Sequence, residues 1–135
     1  MANEATIITL LGNQGDPVEY TVAAGTAIPQ GSLMALTSTP QTATISSADG
    51  EFFCGIASEE KTATDGKVKM ACITHCVAEL TAGTGATTFG QMQKLSGANL
   101  VVDADDDTTA NMMENVGYAL ETVADGNTGA VLINV

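Results

Sequence analysis

Two short stretches hold the residue types that do chemistry. In CITHC, residues 72–76, two thiols and the chain's one imidazole fall within five positions. Those are the donors that hold zinc or build a cysteine–histidine nucleophile pair. In DADDDTTANMME, Asp103, Asp105, Asp107 and Glu114 take the first, third, fifth and twelfth places, with Asn111 at the ninth. That is the ligand ladder of a helix–loop–helix calcium loop.

Neither stretch keeps its chemistry once the surrounding residues are read. A calcium loop of that kind needs glycine at the sixth place for its sharp turn and a helix on each side. Here Thr108 is sixth, Ala110 is eighth, and the preceding ANLVVD has the character of a strand. The segment reads as a solvated acidic loop, with a weak, non-helical cation site through Asp103, Asp105, Asp107 and Glu114 as the alternative. On an extended strand Cys72 and Cys76 lie about 13 Å apart at about 3.3 Å per residue, too far to share one zinc ion. His75 points to the opposite face, so the cysteines read as small buried hydrophobes. KVKMA is similar to the lysine-bearing turn of biotin and lipoyl carriers, but Lys69 falls inside a strand and not at a hairpin tip. No cofactor and no catalytic residue is expected.

The elements that carry these residues are strands. Runs rich in Val, Ile, Leu and Thr recur between Gly, Asn and Asp, the pattern of an all-β barrel or sandwich of about eight to ten short strands. They span residues 5–11, 18–23, 33–37, 42–46, 51–57, 67–80, 89–95, 99–103, 115–121 and 129–135. Asp49-Gly50, Asp65-Gly66 and Ser96-Gly97 have the chemistry of tight hairpin turns. In the longest run, Lys67–Leu80, one face carries Val68, Met70, Cys72, Thr74, Cys76, Ala78 and Leu80. The other mixes Lys67, Lys69, His75 and Glu79 with Ala71, Ile73 and Val77. A half-apolar second face implies a cover of its own. There is also an internal echo: GSLMAL, CGIASE and DGKVKMACI are answered by GQMQKL, VGYALE and TGAVLINV. This pattern fits two similar three-strand units, or a coincidence among short glycine-bounded strands.

Composition narrows the partners. The 135 residues suit a single domain with a real core. Sixteen acids stand against four lysines, with no arginine, for a formal charge of -12. Nucleic-acid binding draws on cations that neutralise phosphates, so neither nucleic acid nor an anionic membrane surface is an expected partner. The N-terminus has an acid and no basic region of the kind a signal peptide carries. Three cysteines do not make a disulfide framework, and they are expected as reduced thiols in a protein folded in a cytoplasm.

The order of glycine-bounded strands carries a family resemblance. NQGDPVEYTVAAGTAIPQGSLMAL resembles the opening of the small capsid decoration, or head cement, proteins of tailed double-stranded DNA viruses. FFCGIASEEKTATDGKVKMACITHCVAEL is similar to that family's next block, and NVGYALETVADGNTGAVLINV to its closing strands. The resemblance runs from about Asn13 to Val135. It departs where TAG replaces a basic residue after the Glu-Leu stretch, and in the acidic connector. It implies a β-domain made in the host cytoplasm that trimerises on the exterior of the virion and clamps neighbouring major capsid protein subunits. Residues 1–15 then form an N-terminal arm or edge strand, and residues 16–135 a single β-domain. The apolar stretch Thr6, Ile7, Ile8, Thr9, Leu10 and Leu11 is the candidate for capsid binding, since a terminal strand can add to a partner's sheet edge. The competing readings are a calcium-dependent surface or extracellular β-module built on the acidic loop and a carrier or enzyme fragment built on Lys69 or the Cys–His stretch.

Overall fold

The computed structural model describes residues 3–10, 17–104 and 114–135. They form eleven β-strands: β1 (Thr6–Leu10), β2 (Val18–Thr21), β3 (Leu33–Leu36), β4 (Ala43–Ile45), β5 (Phe53–Ala57), β6 (Lys69–Ile73), β7 (His75–Ala82), β8 (Met92–Gly97), β9 (Leu100–Asp103), β10 (Asn115–Ala119) and β11 (Thr128–Asn134). The architecture is all-β, two sheets packed as a sandwich, with no helix among the described residues.

One sheet runs β2-β6-β5-β3-β4 and the other β1-β7-β11-β10-β8-β9. Leave β1 aside, add five to each label of the first order, and the second results. The registers agree as well. Leu33↔Ile56 and Met34↔Gly55 are followed by a bulge and then Ala35↔Phe53. In the other sheet Tyr118↔Met92 and Gly117↔Gln93 are followed by a bulge and then Asn115↔Lys94. The echo in the sequence is therefore a repeat of five strands, two more than the three it showed. Each unit also curls until its first and third strands meet in parallel, through Thr21↔Thr42 in one and Thr81↔Leu100 with Ala82↔Val101 in the other. Gly117 sits at its bulge with φ +155, and a Cβ there would collide with the Leu132 carbonyl oxygen. Only glycine lets the two backbones approach so closely.

The run from Lys67 to Leu80 is two strands and not one. It leaves the first sheet after Ile73 and enters the second at His75, so Thr74 is the crossing point. The period-two pattern persists through the crossing, which is why the sequence shows no break. Met70 and Cys72 enter one core cluster while Cys76, Ala78 and Leu80 enter the other. The smaller cluster belongs wholly to the five-stranded unit and includes Val22, Ile28, Met34, Cys54, Met70 and Cys72. The larger joins Leu33, Ala35, Phe53 and Ile56 of that unit to Leu80, Leu95, Val116 and Ile133 of the other. Burying each large aliphatic or aromatic side chain contributes about 1.5–3 kcal/mol, so this shared cluster is what holds the units together.

The turns also differ from the sequence expectation. Asp49-Gly50 links β4 to β5, which lie on opposite sides of β3, and Asp65-Gly66 lies in the longer connection between β5 and β6. The hairpin joining β8 to β9 turns at Ala98-Asn99, two residues past Ser96-Gly97. Asn99 takes φ +58, a left-handed conformation that asparagine tolerates better than most residues. Its amide is fully buried at the joint between the units, where Oδ1 accepts from the Leu33 N–H at 2.8 Å. The Asn99 N–H donates to Ser46 Oγ at 3.0 Å, and that hydroxyl donates to the Gly97 carbonyl at 2.9 Å.

Candidate functional site: the outer sheet face and its N-terminal edge

The three cysteines are free and buried. Burial pushes the Cys54 and Cys72 thiols up to about 12 and Cys76 up to about 11. Since the thiolate is both the nucleophile and the metal ligand, these groups are held in their inert form. Cys72 and Cys76 lie in different core clusters. His75 is half-buried, paired in register with Asn134 at the end of β11. No group of three His, Cys, Asp or Glu side chains is placed to hold a metal among the described residues. Lys69 begins β6 and donates from Nζ to Thr21 Oγ1 at 3.2 Å across the β2–β6 pair.

Of the acidic ladder, Asp103 and Glu114 are described; Asp105, Asp107 and Asn111 lie outside the described residues. Asp103 Oδ1 accepts from the Thr88 N–H and from Gln93 Nε2, both at 2.8 Å. One carboxylate oxygen is thus bonded both to β8 and to the segment leading into it. The Glu114 carboxylate lies over Gly50.

The structure adds a residue that no pattern in the sequence marks. Lys61 follows two glutamates, a context that reads as solvent-exposed, yet its side chain is fully buried. Its Nζ donates to the carbonyls of Thr26 at 2.7 Å and Ala24 at 2.8 Å, more weakly to Thr62 at 3.4 Å, and lies 3.9 Å from Asp65 Oδ1. The ammonium gathers two loops of the five-stranded unit around itself.

The N-terminal candidates form β1, an edge strand antiparallel to β7. Thr6 and Thr9 are exposed and Ile7 packs against the larger core cluster. Leu10 pairs in register with Cys76, and Leu11 lies outside the described residues. Ile8 sits where the register slips between Ile7 and Thr9, and is 53 % exposed. Just before the strand, the Ala5 N–H donates to the Gly31 carbonyl at 2.7 Å. The N-terminal segment therefore touches both units.

From β1 an apolar row crosses the outer face of the six-stranded sheet. Val77 pairs with Leu132, Leu132 with Tyr118, and Tyr118 with Met92. Tyr118 is 46 % exposed and the other three are half-buried. Val77 is one of the residues that make the second face of the long run half-apolar. Its row is uncovered among the described residues, whereas Ile73, on the other side of the crossing, packs against the larger core cluster. An apolar row and an exposed strand edge meet here in a strongly acidic chain. Such an arrangement suits docking to a protein surface.

Taken together, fold and surface define a twice-repeated five-strand β-protein whose prominent surface feature is an apolar row beside an edge strand. A solved structure shares that fold. The chain is similar to the crystal structure of the head fiber gp8.5 N base in bacteriophage phi29, with a TM-score of 0.56 and 19 % identity. The match covers 87 % of this chain and 93 % of that one. No protein-family description and no curated protein matches the sequence.

Proposed function

We propose that this chain is a structural protein of a virus particle that binds the outer surface of the capsid and acts by binding and not by catalysis. The carrying observation is the likeness in fold, over nearly the whole of both chains, to the base of a phage head fiber. Fold alone does not fix function, and the surface adds independent support. An edge strand with an exposed isoleucine at its bulge adjoins an apolar sheet face, on a chain whose charge of -12 opposes nucleic acid and anionic lipid. The partner in this reading is the major capsid protein, with neighbouring subunits clamped by a homotrimer of this chain. The segment Thr6–Leu11 makes the attachment, because main-chain pairing at a strand edge gives affinity and alternate side chains give specificity. Three copies of a weak contact multiply its effect through avidity.

The test uses capsids that lack the native protein. Wild-type protein added to them is expected to appear as protrusions by electron cryomicroscopy and to co-sediment with the particles. Ile8→Glu places a charge on the exposed bulge without touching the core. It should keep the wild-type melting curve and lose most of the particle-bound fraction. Ile8→Glu binding as well as wild type would remove β1 from the attachment. Failure of the wild-type protein to bind any capsid with which it is co-produced would sink the function.

A further inference from the structure

The two units present one face to different surroundings. In the five-stranded unit Leu33, Ile56 and Ile73 are cross-strand partners in a row. Leu33 and Ile56 are fully buried, and Ile73 packs against the same cluster, which includes residues of the other unit. At the same register in the six-stranded sheet the row is Met92, Tyr118 and Leu132. It is apolar too, but uncovered among the described residues.

The end of the buried row meets the β8–β9 turn, where Asn99 accepts from the Leu33 N–H. The counterpart of that turn is the one between β3 and β4. Gln41 there has φ +55, against +58 for Asn99, and each residue directly precedes the strand end that meets its unit's first strand in parallel. Yet Asn99 is fully buried, whereas residues 37–41 are all exposed. Each chain thus uses one row and one turn internally and has left over an equivalent row and an equivalent turn.

We propose that the row Met92–Tyr118–Leu132 receives the β3–β4 turn, Ser38–Gln41, of a second copy of this chain. Copies then join head to tail by repeating the turn-on-row part of the contact between the units within one copy. Charge dictates where such a contact can form. Two chains of -12 repel, and both surfaces, Ser-Thr-Pro-Gln and Met-Tyr-Leu, are free of ionisable groups at neutral pH. Gln41 carries the same amide as Asn99 on one more methylene and takes Met92 as Asn99 takes Leu33. A head-to-tail contact either closes into a ring or runs on as a filament. Closure at three rests on the proposed capsid role; the contact itself does not.

Single-cysteine variants test it, since the native thiols are buried. Gln41→Cys and Met92→Cys proteins, oxidised separately and then as a mixture at about 100 µM, are run on a non-reducing gel. The mixture is expected to form its disulfide dimer at least tenfold faster than either variant alone. Tyr118→Glu, introduced beside Met92→Cys, should abolish that advantage while leaving the melting temperature unchanged. Equal rates in the mixture and the separate samples would overturn the proposal, as would an advantage that survives Tyr118→Glu. Capsid binding is scored separately, so a protein that cross-links but binds no capsid refutes the capsid role alone.

Discussion

Lys61→Met replaces a fully buried ammonium with a side chain of similar length that donates nothing. In the wild type, Nζ donates at 2.7 and 2.8 Å to the Thr26 and Ala24 carbonyls. Hydrogen bonds from a charged donor contribute about 1.5–3 kcal/mol each, and a buried acceptor left without its donor costs about 1–3 kcal/mol. Two stranded carbonyls set the gross loss at roughly 3–5 kcal/mol. Relief of the ammonium's desolvation and some water entry to the loops offset part of it, leaving about 3 kcal/mol. For a chain of this size that lowers the melting temperature by roughly 10 °C. Thermal unfolding followed by far-ultraviolet circular dichroism measures it, with urea titration as the check that the slope is unchanged and the native state still compact. Lys61→Arg tests geometry: its planar fork keeps the charge but does not fit a pocket built for a point donor, so it should rescue only part of the loss. A Lys61→Met protein that melts within 2 °C of wild type would show that water or a loop shift satisfies those carbonyls without cost, and the argument for the buried lysine would fail.

Three further outcomes are expected. The thiols should resist iodoacetamide in the native protein at pH 8 and react together on unfolding, because burial pushes their pKa values to about 11–12; mass spectrometry showing rapid labelling of one cysteine would contradict its placement. Millimolar calcium against chelator should leave the melting temperature unchanged, whereas Asp103→Ala should lower it by a few degrees in both conditions through loss of its bonds to Thr88 and Gln93. A calcium-dependent rise that Asp103→Ala removes would restore the cation-site reading. Asp65 is held below its ordinary value chiefly by the Lys67 N–H, with the Thr62 N–H and the charges of Lys61 and Lys67 adding to it. Its folded pKa is depressed, so its contribution is present at neutral pH and is lost as pH falls below the ordinary carboxylate value of 3.8. Asp65→Asn should therefore be less stable than wild type at pH 7, with the difference shrinking towards pH 2. A difference that grows on acidification would refute this.

Strand positions were legible in the sequence because half-buried strands leave a period-two pattern and glycine marks their ends. What the pattern could not carry was connectivity. The alternation through Met70, Cys72, Cys76 and Leu80 is the same whether the chain stays in one sheet or crosses to another, so the break at Thr74 left no trace. The repeat showed three strands because β3, β5 and β6 share glycines and apolar residues with β8, β10 and β11. The short β4 and β9 share only a turn geometry. Ala71, Ile73 and Val77 did announce an apolar second face, and Ile73 and Val77 proved to have different surroundings, one packed against the shared core and one uncovered. Lys61 and Asn99 were invisible because their roles depend on carbonyl and amide groups brought together from distant parts of the chain, and a lysine or asparagine beside a turn looks the same in either case.

The five-strand repeat also bears on how such a molecule changes over time. A symmetric pair of separate subunits must mutate in step, since one gene writes both copies of every surface. Here the same position has two independent addresses. Met34 fills the interior of one unit while Gln93 stands at its register in the other. Leu33 and Ile56 lie in a sealed interior, whereas Tyr118 is exposed and Met92 half-buried at the surface. Carrying both units in one chain leaves each half free to specialise, one for solidity and the other for what it touches.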